Sequence, residues 1–292
     1  MSLAFHALTL ASALMHLAQS ESPPACVREA VSIMYAEKSF ETYRLAVDTE
    51  PAARTSTSSS FDGVYRHGRW NNGDQCFSGW SHVAKTRTTM DTLATVIDEY
   101  NIGSMVDLPC GDLCYMGSFL KAVLQVKPAF HYHGLDRVGF VVEHHRAHYR
   151  PPAACTGCNV SFSAMDARRS SPPTADLLFS RTMMQHMCTR DALRILRRIQ
   201  ASGAKYLLLS TYGTLDNAEG PQLPCDESVD TATNHQQQNL SAAPYSMPPP
   251  LRLFSEKLPK ELRFLDNGKE LFLGLWKARS VHKSLLARRI VE

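Results

Sequence analysis

The chain has no G-x-G-x-x-G run and no G-K-[ST]. The first absence removes the glycine cradle of a dinucleotide enzyme, and the second removes the phosphate loop of a nucleotide hydrolase. Its one CxxC, Cys155–Cys158 in "CTGC", has no second cysteine pair or histidine pair at zinc-ribbon spacing. It follows "RPPAA" in a loop, whereas a thioredoxin-type pair opens a helix after a strand. A concentrated basic stripe is also missing: the net charge is +3 over 292 residues. Arg194, Arg197 and Arg198 read as the solvated face of a helix, and Lys283, Arg288 and Arg289 lie in a short tail. No nucleic-acid partner is expected on that basis.

Residues 1–20, "MSLAFHALTLASALMHLAQS", contain no Asp or Glu, but no Lys or Arg precedes their apolar run. The segment reads either as a secretory or organelle-targeting segment, with Ala18 and Ser20 as small residues before a cleavage point, or as an amphipathic helix of a cytoplasmic protein. Two histidines interrupt it, so no stable membrane span is expected. The eight cysteines would permit disulfides, but their spacing shows no framework. Asn159-Val-Ser161 and Asn239-Leu-Ser241 match the glycosylation sequon, which two such triplets in this length can do by chance.

With 44% hydrophobic residues the chain can bury a full core. Residues 21–60 read as a helical extension (helix over 27–50) with a linker at "PAARTSTSSS". Residues 61–82 are rich in aromatics, Gly and Asn without a period, which predicts an ordered but irregular segment. A helix is predicted from Ala84 to Tyr100. Short apolar runs then alternate with helical patterns. "SMVDL", "FHYHGLDRV", "CNVSFSAMD", "ADLLFSRT" and "AKYLLLSTYG" read as strands, followed after a long polar loop by "LRLFSEK" and "KELFLGLWKA" as a closing hairpin. Near-continuous apolar strands alternating with helices predict an α/β fold with a parallel sheet covered on both faces. Ligands of such sheets bind beyond the carboxyl ends of the strands. That rule singles out Asp107–Asp112, Asp136–Arg137, Asp166–Ala167, Ser180–Arg181 and Thr211–Gly213.

Three of these strands end in an acid, at Asp107, Asp136 and Asp166. Gly111 lets the backbone approach a ligand closely. Asp136 follows it by 25 residues, where a carboxylate can accept both ribose hydroxyls. Acids at the turn repel a pyrophosphate and suit a cationic ligand, which favours S-adenosylmethionine over NAD.

The ordered text "VDLPCGD" (106–112), "YHGLDRV" (132–138), "FSAMDAR" (162–168), "DLLFSRTMMQHM" (176–187), "SGAKYLLLSTY" (202–212), "NLSAAPYSMPPPLRL" (239–253) and "LGLW" (273–276) resembles class I S-adenosylmethionine-dependent methyltransferases. More narrowly it resembles a subgroup with D-x-P-C-G-D in place of the glycine-rich turn. The resemblance implies a Rossmann-like methyltransferase fold over residues 61–280: a mostly parallel seven-stranded sheet, helices on both faces and a C-terminal antiparallel hairpin, with 281–292 as a basic tail. It implies S-adenosyl-L-methionine as cofactor. Asp107, Pro109, Gly111 and Asp112 would line its methionine part, Asp136 and Arg137 its ribose, and Asp166 and Ala167 its adenine, with Ser180 and Arg181 near the methyl donor. Family members often carry an acid after that arginine, where this chain has Thr182.

The acceptor is expected to be a small molecule or a protein group; a non-catalytic module that keeps the fold is the alternative. His186 is the candidate general base, set against a histidine satisfied within a helix. Trp70, Tyr212 and Asn239 are candidates for acceptor contact, and Trp80 for capping the cleft. His144, His145 and His148 have helical metal spacing but no third ligand, and read as a solvated helix face. No metal is expected. Cys110 and Cys114 read as small hydrophobes, and Met183, Met184 and Met187 as helix core.

Overall fold

The computed structural model describes residues 26–38, 45, 61–67, 76–77, 81, 83–213, 216–217, 222–225, 235–257 and 270–281. Trp70, Trp80, residues 1–20 and the basic tail from 282 lie outside the described residues.

Helices α1 (Val27–Ala36), α2 (Phe61–His67) and α3 (Val83–Glu99) precede the sheet. Then come β1 (Ser104–Asp107), α4 (Met116–Val126), β2 (His131–Asp136), α5 (Gly139–His148), β3 (Asn159–Ala164) and β4 (Leu177–Ser180). A 3-10 turn at Met184–His186 leads to α6 (Thr189–Ala201), β5 (Tyr206–Tyr212), β6 (Arg252–Ser255) and β7 (Leu271–Lys277). The seven strands lie in the order β3-β2-β1-β4-β5-β7-β6. All neighbours from β3 to β5 are parallel, and β7 runs antiparallel between β5 and β6.

The apolar runs of the strands follow from burial on both faces. Met105, Leu177, Phe179, Leu208 and Leu273 enter the core on one face. Their sequence neighbours Val106, Leu178, Leu207 and Leu209 enter the core on the other. This period of two is what a strand imposes. α6 shows the helical counterpart: Ala192, Ile195, Leu196 and Ile199 are buried at i, i+3, i+4 and i+7, while Arg194 and Arg197 stay in solvent. Each such buried aliphatic side chain contributes about 1.5–3 kcal/mol. α1 docks against α3 by its N-terminus: the free N–H groups of Val27 and Arg28 donate to the Asp98 carboxylate at 3.1 and 3.0 Å.

Three expectations are corrected. The helix predicted over 27–50 ends at Ala36 as far as the described residues show. Part of the segment expected to be irregular, Phe61–His67, is helical. Met184 and His186 stand in a 3-10 turn, not in a longer helix. No described helix is long and apolar enough to cross a membrane.

Candidate active site

The sheet reverses its strand sequence between β1 and β4, and the chain leaves β1 at that point. The turn Leu108–Gly111 is clasped by its neighbours: Leu108 N–H donates to Phe179 O on β4 (3.0 Å) and Cys110 N–H to Leu135 O on β2 (2.9 Å). The Leu108–Pro109 bond is cis. Gly111 has φ +56°, and a Cβ there would stand 3.3 Å from the Tyr65 hydroxyl. The left-handed backbone conformation favours glycine, and a Cβ would press on that hydroxyl. Its N–H donates to Asp136 Oδ2 (3.1 Å), and its carbonyl accepts from His145 Nε2 (2.7 Å).

His145 corrects the reading of a solvated histidine face, because it is fully buried. Burial pushes its pKa down to about 4, against the bond to Gly111 and with help from His144. The neutral ring must carry its proton on Nε2 to donate to a carbonyl. His144 and His148 stack on each other at 4.2 Å. Among the described residues no cluster of His, Cys, Asp or Glu is arranged to hold a metal.

A cleft opens beyond the strand ends. Five of the residues singled out by sequence line it: Pro109, Asp136, Arg137, Asp166 and Ala167. Its apolar walls come from Leu108, Met165, Met183, Met187 and Ile195, and Phe61 and Tyr65 of α2 cover one side. Asp107, Gly111, Asp112, Ser180 and Arg181 are not among its lining residues.

Asp136 is 3% exposed, and burial raises its pKa to about 6 even though the Val138 and Gly111 N–H groups and Arg137 favour the charge. Oδ2 accepts the Gly111 N–H and Oδ1 the Val138 N–H, and the Arg137 backbone N–H also favours the charge. Asp107 is driven further, to about 8, by burial and the nearby Asp136, with the Tyr132 hydroxyl bond at 2.8 Å working the other way. Asp166 differs: burial opposes its charge, but Arg168 binds both oxygens, Nη2 to Oδ2 at 2.7 Å, and holds its pKa below the usual range. Its carboxylate is therefore already occupied by Arg168.

Arg181 points away into a buried ion pair, Nε to Glu256 Oε1 at 2.8 Å, and the Thr89 hydroxyl shares that oxygen. Thr182, in place of an acid, has φ +53° and donates its N–H to Ser210 Oγ at 3.0 Å. Among the described residues the buried Ser180 hydroxyl has no hydrogen-bond partner.

A row of rings leads from the cleft wall. The Phe61 ring meets His186 edge-on at 6.0 Å, His186 meets His235 at 5.6 Å, and His235 meets Tyr212 at 6.2 Å. Burial, then His186, lowers the His235 pKa to about 4. Asn239 lies in the returning loop, its N–H on Asn217 Oδ1 and its Oδ1 on Ser241 N–H. Gln238 fastens that loop to the 3-10 turn through the Met184 and Met187 carbonyls. The sequence segment 64–82, whose resemblance places it beside the cofactor, includes Tyr65, which lines the cleft; nothing in the local pattern marked Phe61 or His235, and only the fold brings them there.

The cysteines are the second correction. Six of the eight pair as Cys76–Cys114, Cys155–Cys158 and Cys188–Cys225, with Cα–Cα distances of 5.7, 5.4 and 5.2 Å. Cys110 alone keeps the role of a buried small hydrophobe, while Cys26 is free and half-buried. Cys76–Cys114 ties the segment after α2 to the start of α4.

No family model and no curated protein matches the sequence. Among solved structures the chain is similar to magnesium protoporphyrin IX methyltransferase from Synechocystis PCC 6803 with bound SAH (13% identity, 76% of this chain and 96% of that one, TM-score 0.48). It is similar to 1,6-didemethyltoxoflavin-N1-methyltransferase of Burkholderia thailandensis (14%, 79% and 92%, 0.48). Human N-acetylserotonin methyltransferase in complex with SAM is also similar (16%, 0.43); 85% of this chain is covered, which spans 66% of that one. The α/β architecture itself rests on the strand order and register given above.

Proposed function

We propose that the chain is an S-adenosylmethionine-dependent methyltransferase acting on a small molecule or an exposed protein group. The observation that supports this best is a cleft at the carboxyl ends of β1, β2 and β3, in which Pro109, Asp136, Arg137 and Ala167 converge. The residues fit the cofactor. Asp136 presents to the cleft a carboxylate that can accept from a ribose hydroxyl. The apolar walls from Leu108, Met165 and Met183 suit a flat heteroaromatic ring. Asp112 and Asp136, which both act on Tyr65 beside the turn, favour a cation and repel a pyrophosphate.

S-adenosylmethionine would supply a methyl group on a positively charged sulfur. The protein's part is alignment and exclusion of water. Asp136 holds the ribose, Asp107, Gly111 and Asp112 shape the methionine end, and Ala167 flanks the adenine beside Asp166. Ser180, at the end of β4, is the candidate toward the donor, while Arg181 is committed to Glu256. His186, with His235 behind it, is the candidate to take a proton from a protonated acceptor; Tyr212 closes that row and Asn239 shapes the loop beside it.

A second reading, a binding module without catalysis, draws on Arg181 being committed to Glu256 and on Thr182 standing where relatives often carry an acid. Transfer of a tritiated methyl group to a fractionated extract separates the two. Label incorporated by the wild type and lost in Asp136→Ala supports the enzyme. Cofactor binding with no incorporation supports the module.

A further inference from the structure

Two sequons occur in the chain, and the fold treats them differently. Asn159 is the first residue of β3, the edge strand of the sheet, and it is exposed. Among the described residues no hydrogen bond engages its side chain. Asn239 is half-buried and its side-chain oxygen is committed to Ser241, within a loop held by Asn217. Cys158 immediately precedes Asn159 and is bridged to Cys155. With Cys76–Cys114 and Cys188–Cys225 this makes three disulfides, a number that belongs to oxidising compartments and not to a reducing cytosol. The apolar, acid-free residues 1–20 fit a secretory leader.

We propose that the chain matures in the secretory pathway and carries an asparagine-linked oligosaccharide on Asn159, and that Asn239 stays unmodified. The co-substrate class is a polyprenyl-diphosphate oligosaccharide. The Asn159 amide nitrogen forms a bond to the anomeric carbon of the first sugar and gives up one proton. The bond from that carbon to the diphosphate oxygen breaks, and the polyprenyl diphosphate leaves with the electron pair. Each disulfide forms by loss of two electrons and two protons to an oxidised thiol-exchange partner. A glycan on Asn159 has a physical consequence: it covers an edge strand whose unpaired N–H and C=O groups would otherwise template pairing with a second sheet. The inference is independent of the methyl-transfer reading.

The test is expression of the full chain, with its own N-terminus, in eukaryotic cells, followed by peptide N-glycosidase digestion and gel analysis. The wild type and Asn239→Gln are expected to shift to higher mobility on digestion. Asn159→Gln and Ser161→Ala are expected to run at the digested position from the start. Thiol labelling of the denatured, unreduced protein is expected at two cysteines, Cys26 and Cys110. A wild type without glycan, a glycan that persists in Asn159→Gln, or labelling of all eight cysteines would each overturn the proposal.

Discussion

The Asp136 carboxylate accepts the Gly111 N–H at 3.1 Å, so the end of β2 is bonded to the turn that leaves β1. The two strand ends are thereby set as one rigid corner of the cleft. Hydrogen bonds to a charged group contribute about 1.5–3 kcal/mol, roughly 10- to 100-fold in affinity. Asp136→Ala should weaken S-adenosylmethionine binding by about that factor, measured by equilibrium dialysis, whereas Cys110→Ala should leave it within a few-fold. Equal effects would show that Asp136 has no special part in holding the cofactor.

Asp107 makes stability depend on pH with a definite sign. Its folded pKa, about 8, lies above the ordinary carboxylate value of 3.8 because burial favours the neutral form. The neutral carboxyl's contribution is fully present below the unfolded pKa and is lost as pH rises through about 8. The midpoint of thermal unfolding should therefore fall as pH rises from mildly acidic to mildly alkaline. Asp107→Asn, which stays neutral and can still accept from Tyr132, should flatten that fall.

The Arg181–Glu256 pair joins the end of β4 to the end of β6 inside the protein. Removing one partner leaves an uncompensated buried charge, which costs about 3–5 kcal/mol. Glu256→Gln should lower denaturant stability by that amount, while the exposed pair Arg252–Glu99 should contribute about 0–1 kcal/mol when broken by Glu99→Gln. Similar losses in the two variants would count against a buried role for Arg181.

Cys76–Cys114 spans 38 residues and secures the segment that follows the cover helix α2. Loss of such a bridge typically costs about 2–5 kcal/mol. The double variant Cys76→Ala, Cys114→Ala should unfold at lower denaturant, and limited proteolysis should cut first between α2 and α3. Unchanged stability and cleavage would mean that the bridge holds nothing in place.

The parallel sheet was legible in the sequence because burial on both faces writes continuous apolar strands such as Leu207–Leu209. The strand-end rule then pointed to Asp136 and Ala167 without knowledge of contacts. Partners far apart in sequence were not legible. Tyr132 on Asp107, His145 on Gly111 and Glu256 on Arg181 depend on strand order and register, which no local pattern encodes. The disulfides were hidden for the same reason: Cys188 and Cys225 are 37 positions apart, with all of α6 and β5 between them. Arg168 on Asp166 is different, since a D-x-R step at a strand end is short enough to have been suspected.

The central claim is that the cleft around Asp136 holds S-adenosylmethionine. Its most direct test is isothermal titration of the folded wild type with that ligand at about pH 5 and about pH 7.5. Burial sets the Asp136 pKa at about 6, and the ionised carboxylate is the stronger acceptor for a hydroxyl. The account predicts saturable binding that is tighter at the higher pH, with the difference abolished in Asp136→Asn. No binding to the folded protein at either pH would contradict it.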